Sequence, residues 1–132
     1  MIFVDTSFWV ALTIHVDRRH GDARELLAAR ADVPLATSNH VRGETWTFVR
    51  RRFGHRAAVG VIDRLERTPR LRILQVGRDD ERDVWEWLRV RAEREYSFVD
   101  ATSFAVMHHF RIHEAFAFDG DFAAAGFVEL RA

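Results

Sequence analysis

Apolar and polar residues alternate in blocks along this chain, and the blocks change period in a regular way. Residues 2–5, "IFVD", begin with three consecutive apolar side chains, the mark of a short strand buried on both faces. Residues 7–14 predict a short helix, and "HGDARELLAAR" a longer one with Leu26 and Leu27 facing inward. "PLAT" is a second short strand beginning after Pro34. In "SNHVRGETWTFVRRRFG", Val41, Thr45, Phe48 and Val49 recur at helical spacing, Ser38 or Asn39 stands as N-cap, and Gly54 marks the stop. "HRAAVGVIDRLER" predicts another helix, ended by Thr68 and Pro69, and "LRILQV" a third strand. "DDERDVWEWLRVRAERE" places acids at the positive end of a helix dipole and Val84, Trp85 and Leu88 on one side. "SFVDATSFAVMHHF" follows as a helix, "EAFAFD" as a fourth strand and "FVEL" as a short fifth. Strands that alternate with helices predict an α/β fold, with a mainly parallel sheet covered on both faces.

No repeat, low-complexity tract or linker breaks this succession, and 132 residues suit a single domain spanning 1–132. A hydrophobic content of 48% and a charged content of 30% are those of an ordinary soluble globular protein. No apolar run reaches the roughly 20 residues of a membrane span. The N-terminus lacks the basic start and long apolar stretch of a signal peptide. Absence of cysteine removes disulfides, thiolate metal sites and cysteine nucleophiles, and fits an intracellular, cytoplasmic protein.

Charge narrows the chemistry further. The 20 basic and 20 acidic residues cancel, so no strong global attraction to nucleic acid or membrane is expected. Every basic residue is arginine. Without lysine there is no Walker-type phosphate loop, no Schiff base and no Ser–Lys catalysis. Receiver domains and haloacid-dehalogenase-like phosphatases also carry acids at strand ends, but normally beside a lysine that this chain lacks.

The acids are the unusual feature. In open parallel sheets functional groups gather at the carboxyl ends of the strands. Asp5 ends the first predicted strand and Asp119 the fourth, with Asp121 two residues on. An aspartate in such a position is also an ordinary turn or N-cap residue, but two at the ends of buried strands point to a shared site. Glu44 lies early in its helix beside core positions, where an acid also favours the dipole. Ser97 and Asp100 have capping-box spacing, and a helix N-terminus at a strand-end cleft is also where an active-site carboxylate is held. Four acids from four elements thus point to one end of the sheet. Clustered carboxylates resist ionisation unless a cation sits among them, and oxygen-only ligands select Mg²⁺ or Mn²⁺ over zinc. One or two such ions equip a site for phosphodiester hydrolysis without histidine, cysteine or lysine.

Along nearly its whole length the chain resembles a PIN domain, and within that group a VapC toxin ribonuclease. "MIFVDTSFWVAL" resembles the opening motif, with Asp5 as the first acid and Thr6 or Ser7 as its polar companion. "TSNHVRGETWTFVRRR" carries Glu44, "YSFVDATSFAVM" carries Asp100, and "AFAFDGDFAAAGF" carries Asp119 with Asp121 as auxiliary acid. Each motif alone is weak, whereas four in order at these intervals are specific. Gly120 and the following alanines make the last motif unusually small, which leaves the division between Asp119 and Asp121 open. The resemblance implies a PIN-like three-layer sandwich, with catalytic Asp5, Glu44, Asp100 and Asp119 and metal ligands Asp5, Asp100, Asp119 and Asp121. It further implies Mg²⁺ or Mn²⁺ dependence, endonucleolytic RNA cleavage, homodimerisation, and inhibition by a cognate VapB-like antitoxin. A catalytically inactive PIN-like interaction module and a structure-specific DNA nuclease are the alternatives.

Other residues have narrower expected parts. Thr6, Ser7 and Ser103 are expected to hydrogen-bond carboxylates or metal-bound water. Arg50, Arg51 and Arg52 make a local basic patch, suited either to RNA phosphates or to complementing a helix C-terminus. At helical spacing at most one or two of the three can face a substrate.

Overall fold

The computed structural model describes residues 1–132. Its centre is β1 (Ile2–Val4), whose three residues are fully buried. Only a strand flanked on both edges and covered on both faces has use for three consecutive large apolar side chains. β1 pairs in parallel with β2 (Leu35–Ser38) on one side and with β4 (Glu114–Phe116) on the other. β3 (Leu71–Leu74) adds in parallel to β2, and β5 (Val128–Glu129) to β4. The five-stranded sheet has the order β3-β2-β1-β4-β5 and every pairing is parallel.

That order sets the layers. From β1 the chain steps outward to β2 and β3, crossing through α1 (Thr6–Thr13), α2 (His20–Ala29), α3 (Asn39–Phe53) and α4 (His55–Glu66). It then returns across the sheet to β4 through α5 (Arg78–Arg89) and α6 (Phe98–His109), and reaches β5 through the one-turn α7 (Asp121–Ala124). Right-handed crossovers put the first four helices on one face and the last three on the other, and α3 also touches α6. The α/β, three-layer architecture expected from the sequence is therefore observed. The direction of winding reverses between β1 and β4, so their carboxyl ends flank the switch point where parallel sheets open a crevice.

Several boundaries differ from expectation. β4 stops at Phe116, so Asp119 lies in the turn beyond the strand rather than at its last residue. α5 stops at Arg89, not at residue 95. Tyr96 instead packs against Trp87 and Phe104, at 4.9 and 5.7 Å between ring centroids, which a continued helix would forbid. For the same reason Trp87 is the packed tryptophan of α5, whereas Trp85 is 49% exposed. α7 escaped the sequence reading because one helical turn has no periodicity to detect.

The core is aromatic around the crevice. Phe8 of α1 stacks on Phe116 of β4 at 4.4 Å, and Phe104 of α6 meets Phe122 of α7 at 5.0 Å. Burial of each such ring is worth about 1.5–3 kcal/mol. The elements that carry the acids are thereby locked to one another.

Candidate active site

Asp5 is the first residue beyond β1 and the N-cap of α1. Its Oδ2 accepts from the Ser7 backbone N–H at 3.3 Å and from Ser7 Oγ at 3.0 Å. Ser7 Oγ accepts in turn from the Phe118 N–H at 3.1 Å, while the Asp5 N–H donates to Phe116 O at 3.0 Å. One serine thus ties the exit of β1 to the exit of β4. The next residue reaches the opposite way, Thr6 Oγ1 donating to Glu44 Oε1 at 2.6 Å. Thr45 Oγ1 lies 3.1 Å from Thr6 Oγ1 and donates to Val41 O at 2.7 Å, which anchors the pair to α3.

Asp100 arrives on the opposite face. Ser97 Oγ accepts from the Asp100 N–H at 2.9 Å and Asp100 Oδ2 accepts from the Ser97 N–H at 3.0 Å, a reciprocal capping box that starts α6. The cap does not remove Asp100 from the crevice, whose wall it also lines. Asp119 and Asp121 bracket Gly120, whose φ of 84° is in the left-handed region that favours glycine. Buried Glu129 of β5 holds this turn by accepting from the Gly120 and Ala123 N–H groups at 3.3 and 3.0 Å. Arg94 Nε donates to Asp121 Oδ1 at 2.7 Å from the outer side.

These residues line one cleft of about 650 Å³, which contains Asp5, Thr6, Ser7, Glu44, Asp100, Asp119 and Asp121. Asp100, Asp119 and Asp121 each offer a carboxylate oxygen within 4.8 Å of the others. Asp5 and Glu44 line the same cleft outside that tight triad. Burial, followed by the charges of Asp119, Glu44 and Asp100, raises the Asp5 carboxyl well above its ordinary range, with the Ser7 hydroxyl opposing. Burial pushes Asp100 up to about 6, against its bond from Ser97, and raises Asp119 as well. A site that resists ionisation in this way, with oxygen donors only, suits a hard divalent cation.

One expectation needs correction. Ser103 is fully buried and its hydroxyl donates to Val99 O at 3.1 Å, so it bonds its own helix and no carboxylate. The serine that bonds Asp100 is Ser97, three residues before it, as the capping-box spacing predicts. The arginine run divides: Arg51 and Arg52 line a second cleft of about 750 Å³ that adjoins the first through Glu44 and Phe48, whereas Arg50 is exposed and lines neither. Sequence reasoning missed Arg18 and Arg19, which line the carboxylate cleft from the α1–α2 loop. A basic pair in a loop has no periodicity, and only the turn made when Asp17 Oδ1 accepts from the Arg19 N–H at 2.8 Å brings it over the acids.

Known proteins sharpen this picture. Residues 2–128 match the PIN domain. Over 131 residues the chain is 57% identical to proteins from two strains of Mycobacterium tuberculosis named 23S rRNA-specific endonuclease VapC20, covering 99% of this chain and 98% of theirs. The crystal structure of M. tuberculosis VapC20, described as a sarcin–ricin-loop-cleaving toxin, superposes with a TM-score of 0.93 at 55% identity, with both chains covered completely. With its family match, its fold and its identity in agreement, the chain belongs to the PIN domain family.

Proposed function

We propose that this chain, acting as one domain over residues 1–132, is a metal-dependent endoribonuclease, the toxin of a type II toxin–antitoxin pair. Its substrate class is structured ribosomal RNA, the kind of target named for the 57%-identical relatives. The observation that carries the reading is the set of five acids from four elements in one cleft at the switch point of the sheet.

Asp100, Asp119 and Asp121 are the residues that would hold Mg²⁺ or Mn²⁺, with Asp5 at their side. Such an ion polarises a phosphoryl oxygen and lowers the pKa of a bound water. The protein's part is positioning. Ser7 fixes the Asp5 carboxylate, and Thr6 fixes Glu44 on the opposite wall. In this reading Glu44 is the carboxylate that would handle a proton beside the reacting phosphate. Arg18 and Arg19 supply positive charge over the acids, and Arg51 and Arg52 continue it along α3, so the phosphate backbone has cations on both sides of the cut. A VapB-like antitoxin that covers the cleft, a homodimer, and a cytoplasmic location complete the reading. No helix is long and apolar enough to cross a membrane.

The test is cleavage of a stem–loop RNA carrying the sarcin–ricin sequence, with Mg²⁺, with Mn²⁺ and with chelator, by wild type and Asp5→Asn. Metal-dependent cutting that the substitution abolishes is expected. Cutting of matched DNA but not RNA, or no cutting with either metal, would overturn the reading.

A further inference from the structure

The second cleft has so far contributed only Glu44 and two arginines, and the rest of its lining is selective. It runs along α3, where two rows at i, i+4 spacing face it: Gly43, Thr47 and Arg51 in one, Glu44, Phe48 and Arg52 in the other. Phe48 is 37% exposed and borders both clefts. The Arg52 guanidinium lies 5.3 Å from the Phe48 ring centroid. Gly43 leaves the floor open, since a Cβ there would meet no atom within 4 Å. At the rim Asn39 Oδ1 accepts from the Val76 N–H at 2.9 Å, which fixes the amide so that its NH₂ remains free.

An exposed aromatic face, a guanidinium over it, and a fixed amide at the edge are the equipment that binds an unstacked base. A volume of about 750 Å³ accommodates a ligand of nucleotide size. Phe48 follows Glu44 by four residues, about 6 Å along the helix axis, so its occupant sits next to whatever occupies the carboxylate cleft. The lining is cationic, Glu44 at the shared border being its one acid. Resting on the ribonuclease reading above, we infer that the α3 cleft is a base-binding site. It receives one unpaired nucleotide of the RNA beside the scissile phosphate, stacks its base on Phe48, and holds its phosphate with Arg51 or Arg52. Cleavage would then require a splayed loop nucleotide, which a continuous duplex does not offer.

The full chain carrying Asp5→Asn provides a silent background for binding to a stem–loop RNA that the wild type cuts. Each loop nucleotide is replaced in turn by an abasic residue. At one position next to the cut the loss of the base should weaken binding by about tenfold. Phe48→Ala should weaken binding of the intact RNA to the same extent and erase that abasic penalty, and Phe48→Trp should restore both. Gly43→Leu, which fills the floor while improving helix propensity, should copy Phe48→Ala. An abasic penalty that persists in Phe48→Ala would overturn the site. So would Phe48→Ala lowering the sedimenting mass with RNA affinity unchanged, which assigns the cleft to a second copy of the chain. A wild type that cuts no RNA removes the parent reading together with this one, whereas cutting that is indifferent to Phe48 and Gly43 removes the base site alone.

Discussion

The two walls of the crevice are built on opposite principles. On the carboxylate side every acid is held by a short local device: Asp5 by Ser7, Asp100 by its capping box, the 119–123 turn by Glu129. Asp5 and Asp100 are buried, Asp119 and Asp121 lie nearer the mouth of the cleft, and their charges oppose one another. On the α3 side Arg51, Arg52 and Phe48 are exposed, and no salt bridge restrains the two arginines. The first wall pre-positions charge at a cost to the free protein and is suited to chemistry. The second is screened and adaptable and is suited to catching a flexible polyanion. Changes on the carboxylate wall should therefore act on rate and stability, and changes on the α3 wall on affinity and its salt dependence.

The largest effect expected is on the first wall. Asp5→Asn removes an anion beside the cation site, and ion-assisted stabilisation worth several kcal/mol corresponds to a loss of about a thousandfold or more in single-turnover cleavage. RNA affinity should hold or rise, because a repelling charge has gone. A rate within tenfold of wild type would break the contrast.

Metal and protons come next. A cation that binds only the folded chain stabilises it by about 2.7 kcal/mol at a hundredfold excess over its dissociation constant, read as a rise in Tm with Mn²⁺ or Mg²⁺. In the metal-free protein the sign follows from Asp100. Its folded pKa of about 6 exceeds the ordinary 3.8, so the folded chain binds protons more tightly and loses stability as pH rises through that window. Asp100→Asn keeps the cap's geometry without the charge. It should raise the metal-free Tm at pH 7.5, lose that advantage toward pH 4, and blunt the response to metal. Identical melting curves for both proteins across pH and metal would show that the acids do not act as a cluster.

The hydroxyl supports should matter less. Thr6→Val removes the donor that fixes Glu44, and loss of such a supporting bond typically reduces activity or metal affinity by about 10–100-fold. The decrease belongs in kcat, with KM for RNA unchanged; a pure KM effect would move Thr6 to the binding wall.

The smallest effect is expected on α3. Arg51→Ala and Arg52→Ala should each flatten the log–log salt dependence of single-stranded binding by about 0.7, with cleavage at saturating RNA nearly intact, and Arg50→Ala should do neither. Equal slopes for all three would leave the run with only its helix-end role.

Much of this was legible in the linear order of residues, for physical reasons that can be named. β1 announces itself because three consecutive buried apolar residues admit few structures other than a central strand. The caps at Ser38 and Ser97 follow from side chains that satisfy orphan backbone N–H groups within three residues. Asp5, Glu44, Asp100, Asp119 and Asp121 could be singled out because acids beside buried elements are costly without a purpose. Other features depend on contacts between segments far apart in sequence, and only the tertiary structure decided them. The strand order brings Asp5 and Asp119 to adjacent exits, and the Ser7 link to Phe118 spans 111 residues. Ser97 could be paired with Asp100 from spacing alone, whereas only the phase of α6 turns the Ser103 hydroxyl onto its own helix. Arg50, Arg51 and Arg52 are chemically identical neighbours, and only the rotation of α3 against the rest of the fold separates the two that line a cleft from the one that does not. Arg18 and Arg19 reach the acids because a loop turns back over the sheet, an outcome that local propensity does not encode.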